Sequence, residues 1–391
     1  MLRLYSRKKV DIVGKKVNVL ITDAEYKHTL GAVRSLGKAG YYVIAMSSDK
    51  RAQSFLSRYC NKKLICPNLR NEEKFIGFLI DYLEKNSVDV LIPVGYISTT
   101  LISKHKKELQ SYVKIPVADY ESMKIASNKA KTMQLANSLN IPTPKEYSSY
   151  KDIDKFPVVA KGIYESGHIK YINSIEELQN FDFKNYIFQE YIPGDGYGFY
   201  ALFNQGHLRA FFMHQRIREY PITGGSSTCA KSIYDEKLKN IGLKLLKSLQ
   251  WHGVAMVEFK KDIRDGEYKL MEINPKFWGS LDLSIACGVN FPKLLVEMAL
   301  NGDIEPVFNY SKNIFYRWPF PDDLLHLSAN PLSLFQIVQE YFNKNSKSNL
   351  YPDDFLPNLY QIYVSCIDII KRVKNGNLRY PHGKPKIGYD C

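Results

Sequence analysis

The N-terminal part of the chain alternates short apolar runs with segments of helical periodicity. Three continuous apolar runs predict buried strands, at 17–22, 41–46 and 88–93. Segments with helical spacing follow them, at 28–40, 72–84 and 98–109. Strands that alternate with helices in this way are typical of βαβ units. We therefore expect one doubly wound domain with a parallel sheet over residues 1–115.

The middle of the chain has a mixed pattern. A long helix is predicted over 122–139, with Ser127 or Asn128 as an internal interruption, and it ends before Pro142. Strands are predicted at 156–161, 169–172, 186–191, 199–203 and 207–214. A flexible polar loop at 223–228 and an amphipathic helix at 233–249 follow. This region therefore combines helices at its two ends with several strands between them.

Two apolar runs, 254–259 and 268–273, flank Asp265-Gly266, which is the pattern of a β-hairpin. A turn centred there sets Glu258 opposite Glu272. Like charges directly opposite each other destabilise a strand pair, so this pairing indicates a bound divalent cation. Strand periodicity adds the carboxamide of Asn274 to the same face, which gives hard oxygen ligands suited to Mg²⁺.

An alternative interpretation of the same hairpin remains open. Glu258 and Glu272 would then lie on a solvated face, where nearby lysines neutralise them; these are Lys260, Lys269 and Lys276.

After residue 305 the composition becomes aromatic and proline-rich, and helices are predicted at 332–342 and 360–373. The polar tail from Asn375 is expected to be poorly ordered. These residues suit a dimer contact, a substrate cover or a partner-docking element.

Composition narrows the class of protein. The 391 residues, 45% hydrophobic and 24% charged, suit two or three globular domains. No apolar run approaches the roughly 18 residues of a membrane span, and no signal-peptide core is evident, so we expect a cytoplasmic protein with no membrane span. Six cysteines without a CxxC pair predict neither a zinc site nor a disulfide framework.

The net charge of +14 suits either a polyanionic partner or substrates that carry phosphates. No nucleic-acid-binding motif accompanies the charge, so no specific nucleic-acid partner is expected. The first strand is not followed by G-x-G-x-x-G, which argues against NAD or FAD. The strand ends at Thr22-Asp23 and 93–95 are either small-molecule contacts or plain turns.

Three motifs carry a resemblance to a known family: FPVVAK at 156–161, QEYIPGDGYG at 189–198 and MEINPKFWGS at 271–280. With the chain order of the candidate residues, they resemble the ATP-grasp superfamily, in particular its carbamoyl-phosphate-synthase-like carboxylate-amine ligases. The resemblance implies an α/β (α+β ATP-grasp) fold in three parts. These are a Rossmann-like pre-ATP-grasp domain (1–115), an ATP-grasp domain (116–305, with lobes of about 116–185 and 186–305) and a mainly helical C-terminal extension (306–391).

The resemblance also implies roles for individual residues. Lys129 and Lys161 would reach the nucleotide phosphates. The adenine would meet the segment Glu190, Tyr191 and Ile192, and the ribose would meet Asp195. The magnesium ligands would be Glu258, Glu272 and Asn274.

Lys276 stands where the family usually has arginine. Either Lys276 serves in its place, or Arg216 or Arg218 supplies the guanidinium fork. We expect Lys276 and Arg218, with the backbone at 224–225, to hold an acyl phosphate or the substrate carboxylate. The loop 162–167, which has two glycines only, corresponds to the phosphate lid.

The implied function is an ATP-dependent carboxylate-amine or carboxylate-thiol ligase with ATP and Mg²⁺, or Mn²⁺ in its place, as cofactors. A small carboxylate, such as an amino acid, would become an acyl phosphate and then join an amine. Its partners would be these substrates and, as one option, a second copy of the chain. An ATP-binding sensor or scaffold without ligase activity, and a basic polyanion-binding protein, are the alternatives.

Overall fold

The computed structural model describes residues 16–164, 169–179, 181 and 184–386. A four-stranded sheet opens the chain, with β1 (Asn18–Ile21), β2 (Tyr42–Ser47), β3 (Lys62–Ile65) and β4 (Val90–Ile92). All its strand pairs are parallel, in the order β3-β2-β1-β4, which confirms the predicted βαβ pattern. Its helices are α1 (Lys27–Lys38), α2 (Glu72–Lys85), α3 (Tyr96–Lys104) and α4 (Lys106–Leu109). Strand β3 was not predicted, because at the sheet edge it alternates partly buried and exposed residues and carries two lysines.

The predicted helix over 122–139 is two helices, α5 (Tyr120–Ala126) and α6 (Lys129–Ser138). The side chain of Asn128 accepts a hydrogen bond from the Lys131 amide and so caps α6. A small antiparallel sheet follows, with β5 (Glu146–Tyr147), β6 (Val158–Gly162), β7 (Ile169–Ile172) and β8 (Tyr186–Glu190) in the order β5-β8-β6-β7. The short helix α7 (Ile175–Leu178) lies between β7 and β8. Residues 165–167 of the predicted phosphate lid (162–167) lie outside the described part of the chain.

A larger sheet holds the predicted hairpin. Its strands are β9 (Gly196–Asn204), β10 (His207–Tyr220), β11 (Ser226–Ser232), β12 (Gly253–Lys261), β13 (Tyr268–Asn274), β14 (Phe315–Arg317) and β15 (Ser346–Ser348). The order is β13-β12-β9-β10-β11-β14-β15, and every pair except β14–β15 is antiparallel. The helices α8 (Glu236–Ser248), α9 (Leu281–Ala286) and α10 (Phe291–Asn301) accompany it. The polar loop predicted over 223–228 is wrong from Ser226 onward, because β11 pairs there between β10 and β14.

One hydrophobic core joins the first sheet to the large sheet. Val19 and Ala32 from the N-terminal unit share it with Tyr200, Trp278 and Phe291, and all five are almost completely buried. Burial of a large apolar side chain stabilises a fold by about 1.5–3 kcal/mol. This core holds the N-terminal unit, and with it α1, against the large sheet.

The C-terminal region adds α11 (Leu324–Ala329), α12 (Leu334–Tyr341) and α13 (Leu356–Lys374). The tail after α13 has neither helix nor strand up to residue 386, yet its backbone is held against β7. Tyr171 donates its amide hydrogen to the His382 carbonyl at 3.1 Å, and Lys386 donates its amide hydrogen to the Asn173 side chain at 2.7 Å. The expectation of a poorly ordered tail is therefore wrong for these residues. None of the helices in the described ranges has the length and apolarity that a membrane crossing requires.

Candidate active site

A cavity of about 530 Å³ is lined by residues of both antiparallel sheets and of the N-terminal unit. Its wall contains all the sequence-predicted site residues except Arg218 and Asp195: Lys129, Lys161, Glu190, Tyr191, Ile192, Glu258, Glu272, Asn274 and Lys276. The fold thus brings together residues that lie far apart in the chain.

The two carboxylates of the hairpin face each other across β12 and β13. Glu258 pairs directly with Glu272, as the turn position predicted, and each side chain is 19% exposed. Asn274 donates from Nδ2 to Glu272 Oε1 at 2.7 Å, which leaves the carboxamide oxygen as a donor atom for a cation. The fully solvated face of the alternative interpretation is absent here, because both carboxylates line the cavity.

Cationic side chains balance this pair of carboxylates. Arg216 Nη2 lies 2.6 Å from Glu258 Oε2, and Lys129 Nζ lies 3.4 Å from Glu272 Oε2. Burial raises the pKa of Glu258. The negative charge of Glu272 raises it further, while the positive charge of Arg216 opposes the shift. Burial also opposes ionisation of Glu272, but Lys129, Asn274 and Lys161 together lower its pKa.

The donor set fits a magnesium ion that also binds substrate phosphates. Glu258, Glu272 and Asn274 are hard oxygen donors, and Mg²⁺ is usually held by one or two carboxylates plus phosphates. Within the described ranges no group of three His, Cys, Asp or Glu residues forms a metal cluster of its own. A cation at this hairpin would therefore depend on a phosphorylated ligand for its remaining ligands.

Two lysines stand beside the hairpin. Lys161 is the penultimate residue of β6 and donates from Nζ to Oε1 of the buried Gln189 at 2.9 Å. Burial lowers the pKa of Lys161 to about 8, although Glu272 opposes the shift. Lys129 begins α6, and its amide hydrogen bonds to the Ile163 carbonyl at 3.1 Å, which ties α6 to the end of β6.

The segment after β8 is held from its outer side. The Glu190 carboxylate accepts a hydrogen bond from the Lys145 amide at 3.0 Å and pairs with Arg264 at 3.0 Å. Lys260 donates from Nζ to the Ile192 carbonyl at 3.0 Å and lies over the Tyr191 ring. These bonds fix the backbone of the segment, so a planar ligand would meet a preformed edge.

Lys276 presents a cation that has no carboxylate within 4.0 Å among the described residues. Burial lowers its pKa, while the more distant charges of Glu272 and Asp23 oppose the shift. The ring of His28 lies near enough for Lys276 to add to the effect of burial, which holds the pKa of His28 well below its usual range. An anionic group is the partner that this part of the wall lacks.

The prediction that Arg218 faces the substrate is wrong, because its guanidinium points away from the cavity. Its Nε and Nη2 donate to the two oxygens of Asp323 at 3.1 and 3.0 Å, and Nη1 donates to Glu340 at 2.6 Å. Arg216 lines the cavity instead and bonds Glu258, Glu219 and the Gly225 carbonyl.

A β-bulge explains why these two arginines diverge. Strict strand periodicity would put residues two apart on the same face. On the neighbouring strand, however, Arg216 pairs with Ala230 and Arg218 with the adjacent Cys229, so one extra residue is inserted at Ile217. Such a bulge redirects the following side chain. Of the two arginines left open by the sequence, the fold brings Arg216 to the cavity.

Asp195 also lies outside the cavity wall. Its side chain is exposed and accepts a hydrogen bond from Gln215 Nε2 at 2.9 Å. The strand ends at Thr22-Asp23 and at Gly95 are hydrogen-bonded to each other, because the Gly95 amide donates a hydrogen bond to the Asp23 carboxylate at 2.7 Å. They are turns with internal hydrogen bonds.

Several cavity residues were missed by the sequence analysis. Tyr26, Lys27 and His28 enter from the start of α1, and His382 enters from the C-terminal tail. The rings of Tyr26 and His28 stack at 5.2 Å, and Lys27 pairs with Asp322 at 2.6 Å. No local pattern marks these residues, since only tertiary packing brings α1 and the tail to the hairpin.

Comparison with known proteins shows which proteins this chain is similar to. Residues 182–318 match the model of a family described as "ATP-grasp in the biosynthetic pathway with Ter operon". The D-aspartate ligase of Enterococcus faecium (strain Aus0004) is 25% identical over 311 residues, which cover 68% of this chain and 73% of the relative. A carbamoyl-phosphate synthase of Methanobrevibacter smithii (strain ATCC 35061 / DSM 861 / OCM 144 / PS) is 27% identical over 235 residues, which cover 54% of this chain and 64% of the relative.

Among solved structures, the L-amino acid ligase from Bacillus licheniformis superposes with a TM-score of 0.59 at 17% identity. The match covers 75% of this chain and 78% of that protein. At such low identity the likeness concerns the fold alone, and it confirms the predicted fold class.

Proposed function

The chain belongs to the ATP-grasp superfamily, and we propose from this premise that it is an ATP-dependent carboxylate-amine ligase. It activates a small carboxylate as an acyl phosphate, joins it to an amine, and releases ADP and phosphate. An ATP-binding protein could be an active ligase or a sensor without activity. The ligase is favoured, since both curated relatives described above are named as ligase or synthase.

The observation that carries the proposal is the pairing of Glu258 with Glu272 in a cavity that also holds Lys129 and Lys161. A carboxylate pair on neighbouring strands is costly unless a cation screens it. Two lysines beside it would meet a polyphosphate that brings such a cation. We therefore assign Glu258, Glu272 and Asn274 to Mg²⁺, with Mn²⁺ as a substitute, and Lys129 and Lys161 to the phosphates.

The proposed roles of the other cavity residues follow from this position of the metal ion and the phosphates. The preformed backbone of Tyr191 and Ile192 would receive the adenine, while the engaged Glu190 carboxylate would serve to hold that backbone. Lys276 and Arg216 would hold the substrate carboxylate or the transferred phosphoryl group. The division of the chain at residues 115 and 305 is retained here as a proposal.

The reaction requires the protein mainly to hold positive charges at fixed positions around the reacting groups. A substrate carboxylate oxygen attacks the γ-phosphorus of ATP and ADP leaves; an amine nitrogen then attacks the acyl carbon, phosphate leaves and the amine loses a proton. When bound, Mg²⁺ supplies charge neutralisation at the phosphates. Lys161 and Lys129 add fixed positive charge where negative charge is transferred, and neither step needs an enzyme nucleophile.

For the substrate class we propose amino acids. The relative named D-aspartate ligase supports this choice. A zwitterionic substrate needs a cation for its carboxylate, which Lys276 would provide, and neutral polar groups near its ammonium. The hydroxyl groups of Tyr26 and Ser280 and the neutral ring of His28 line the same wall.

The test is an assay of ADP and phosphate release with Mg-ATP and pools of D- and L-amino acids, each alone and in pairs with amines. We expect release that depends on the carboxylate, and a product mass equal to the two substrates less water. Hydroxylamine in place of the amine should trap the acyl phosphate as a hydroxamate. Absence of release with every carboxylate and amine pair would contradict the ligase proposal.

The pKa of Lys161 predicts a pH dependence for ATP use. Because that pKa is lowered to about 8, the ammonium loses its proton as pH rises through 8, and with it the attraction for phosphate. The kcat/KM for ATP, which reports on the free enzyme, should therefore fall above pH 8 by up to about tenfold per pH unit. In Lys161→Arg the guanidinium stays charged, so the fall should move beyond pH 10 or so. An identical profile in both proteins would show that another group titrates.

His382 predicts an effect on substrate affinity. Burial and the nearby Lys170 and Arg372 lower its pKa, so the ring is neutral at neutral pH and offers a hydrogen bond to a ligand. We expect His382→Ala to raise the KM of the amino acid or amine about 3–10-fold, the value of one hydrogen bond, with a smaller change in kcat. The exposed His207→Ala is the matched control. Unchanged KM values for all substrates would exclude this contact.

A further inference from the structure

Helix α13 has its polar face buried and its apolar face in solvent. The residues that face the protein interior are Pro357, Asn358, Gln361 and Ser365. The outer face carries Leu356, Leu359, Tyr363, Ile370 and Val373, each more than half exposed. A surface helix of a globular protein normally turns its apolar stripe inward. The reversal indicates that the outer face is covered by another molecule.

Specific polar contacts fix the orientation of α13. Asn358 Oδ1 accepts a hydrogen bond from the buried Arg34 at 3.0 Å, and Gln361 Nε2 donates to Gln53 at 2.7 Å. Arg34 also pairs with Asp354 just before the helix, at 2.8 Å. Rotation of the helix to bury its apolar face would take the Asn358 acceptor from Arg34 and break the bond between Gln361 and Gln53, and buried polar groups that lose their hydrogen-bond partners are costly.

The outer face has the spacing of a coiled-coil seam. Its positions follow one another in steps of three, four, three, four and three residues: Leu356, Leu359, Tyr363, Cys366, Ile370 and Val373. Such a strict a/d repeat is typical of a helix that packs against another helix. Cys366, at the centre of the seam, is also exposed.

The size of the surface suits a stable protein interface. The flanking Phe355 and Val364 add to the seam and are also exposed. Large apolar side chains at about half exposure give a patch on the order of several hundred Å², above what isolated monomers usually show and near the roughly 800 Å² that each partner gives to a standard interface.

We propose that α13 pairs antiparallel with α13 of a second copy of this chain. The last turn is basic, with Lys371, Arg372 and Lys374, whereas the first turn carries no acidic side chain and the preceding Asp353 pairs with Lys38 at 3.1 Å. Antiparallel pairing separates the basic ends of the two helices, whereas parallel pairing would align them and set like charges against each other. One seam then serves both copies through a two-fold axis, which closes the assembly as a dimer.

Analytical ultracentrifugation of the full chain tests this proposal. We expect the wild type to sediment as a dimer of two 45.1 kDa chains. Tyr363→Asp with Ile370→Asp should weaken dimerisation on the order of a hundredfold or more, because each charge would be buried at the seam. Ile175→Asp, which replaces another exposed isoleucine far from α13 in sequence, is the matched control and should remain dimeric.

Circular dichroism should show the same helix content in all these proteins, since the substituted side chains are exposed; Leu359→Asp repeats the test at a separate position. A wild type that stays monomeric at its solubility limit would overturn the proposal, and so would a dimer that persists in the seam variants. If a monomeric wild type floats with anionic phosphatidylserine vesicles and the seam variants do not, the apolar face binds a membrane surface. That result would overturn the proposal that a second copy covers this face. Co-purification of a different protein with a monomeric chain would overturn it as well.

Discussion

Replacement of Glu272 by alanine is expected to abolish ligase turnover while the protein stays folded. Glu272 is the carboxylate that faces Glu258 across the hairpin. It accepts a hydrogen bond from Asn274 and lies beside Lys129. Without it, the proposed cation site keeps one carboxylate and loses the charge that holds the metal. We expect kcat to fall on the order of a thousandfold or more, comparable with the loss of other preorganised electrostatic groups.

The measurement is ADP release under saturating Mg-ATP, with thermal unfolding as the check on folding. Glu267→Ala is the matched control, because this carboxylate lies at the turn of the same hairpin, pairs with Lys237 and is outside the cavity wall. Glu267→Ala should keep wild-type turnover. If Glu272→Ala retained turnover, the assignment of the metal to this hairpin would be wrong.

Replacement of Arg218 by alanine is expected to destabilise the fold strongly and to act on activity only through folding. Its guanidinium makes a two-bond fork with Asp323 and a third bond to Glu340, and all three side chains are nearly buried. Loss of one member of a buried ion-pair group leaves uncompensated charge, which typically costs about 3–5 kcal/mol. The free energy of unfolding from urea titrations should fall by about this amount.

Arg209→Ala is the control for this prediction. Arg209 also makes a two-bond fork with a carboxylate, that of Asp303, but the carboxylate is half exposed. Exposed pairs contribute about 0–1 kcal/mol, so the control should unfold almost as the wild type does. Arg218→Lys should fall between, since lysine keeps the charge but lacks the fork. Wild-type stability in Arg218→Ala, with a raised KM for substrate, would instead return Arg218 to the substrate site.

The contrast between Arg216 and Arg218 shows where sequence periodicity stops being informative. The family resemblance left both arginines as candidates for the substrate site, and strict strand periodicity would give residues two apart the same face. A single inserted residue at the bulge separates them, and the hydrogen-bonding partners of Arg218 come from residues more than a hundred positions later. Partners that distant leave no local signal.

Local patterns did predict the elements that carry the proposed metal site. Asp265-Gly266 set the hairpin turn, and the turn set the register of Glu258 against Glu272, because register in a hairpin follows from the turn position. The parallel N-terminal sheet was likewise readable from its apolar runs. Edge strand β3 and strand β11 were not, since their residues are polar and their pairing depends on neighbours distant in sequence.

By itself, therefore, the sequence determined the fold class, the hairpin and the identity of the charged groups, since strand and helix periodicities are local properties. Only the tertiary structure decided which of those groups share a cavity. It brought Tyr26, Lys27, His28 and His382 to the hairpin, and it turned Arg218 into a buried structural cation. It also showed that α13 buries its polar face. The physical reason is the same throughout: burial and charge pairing are set by packing between distant segments, which no local pattern records.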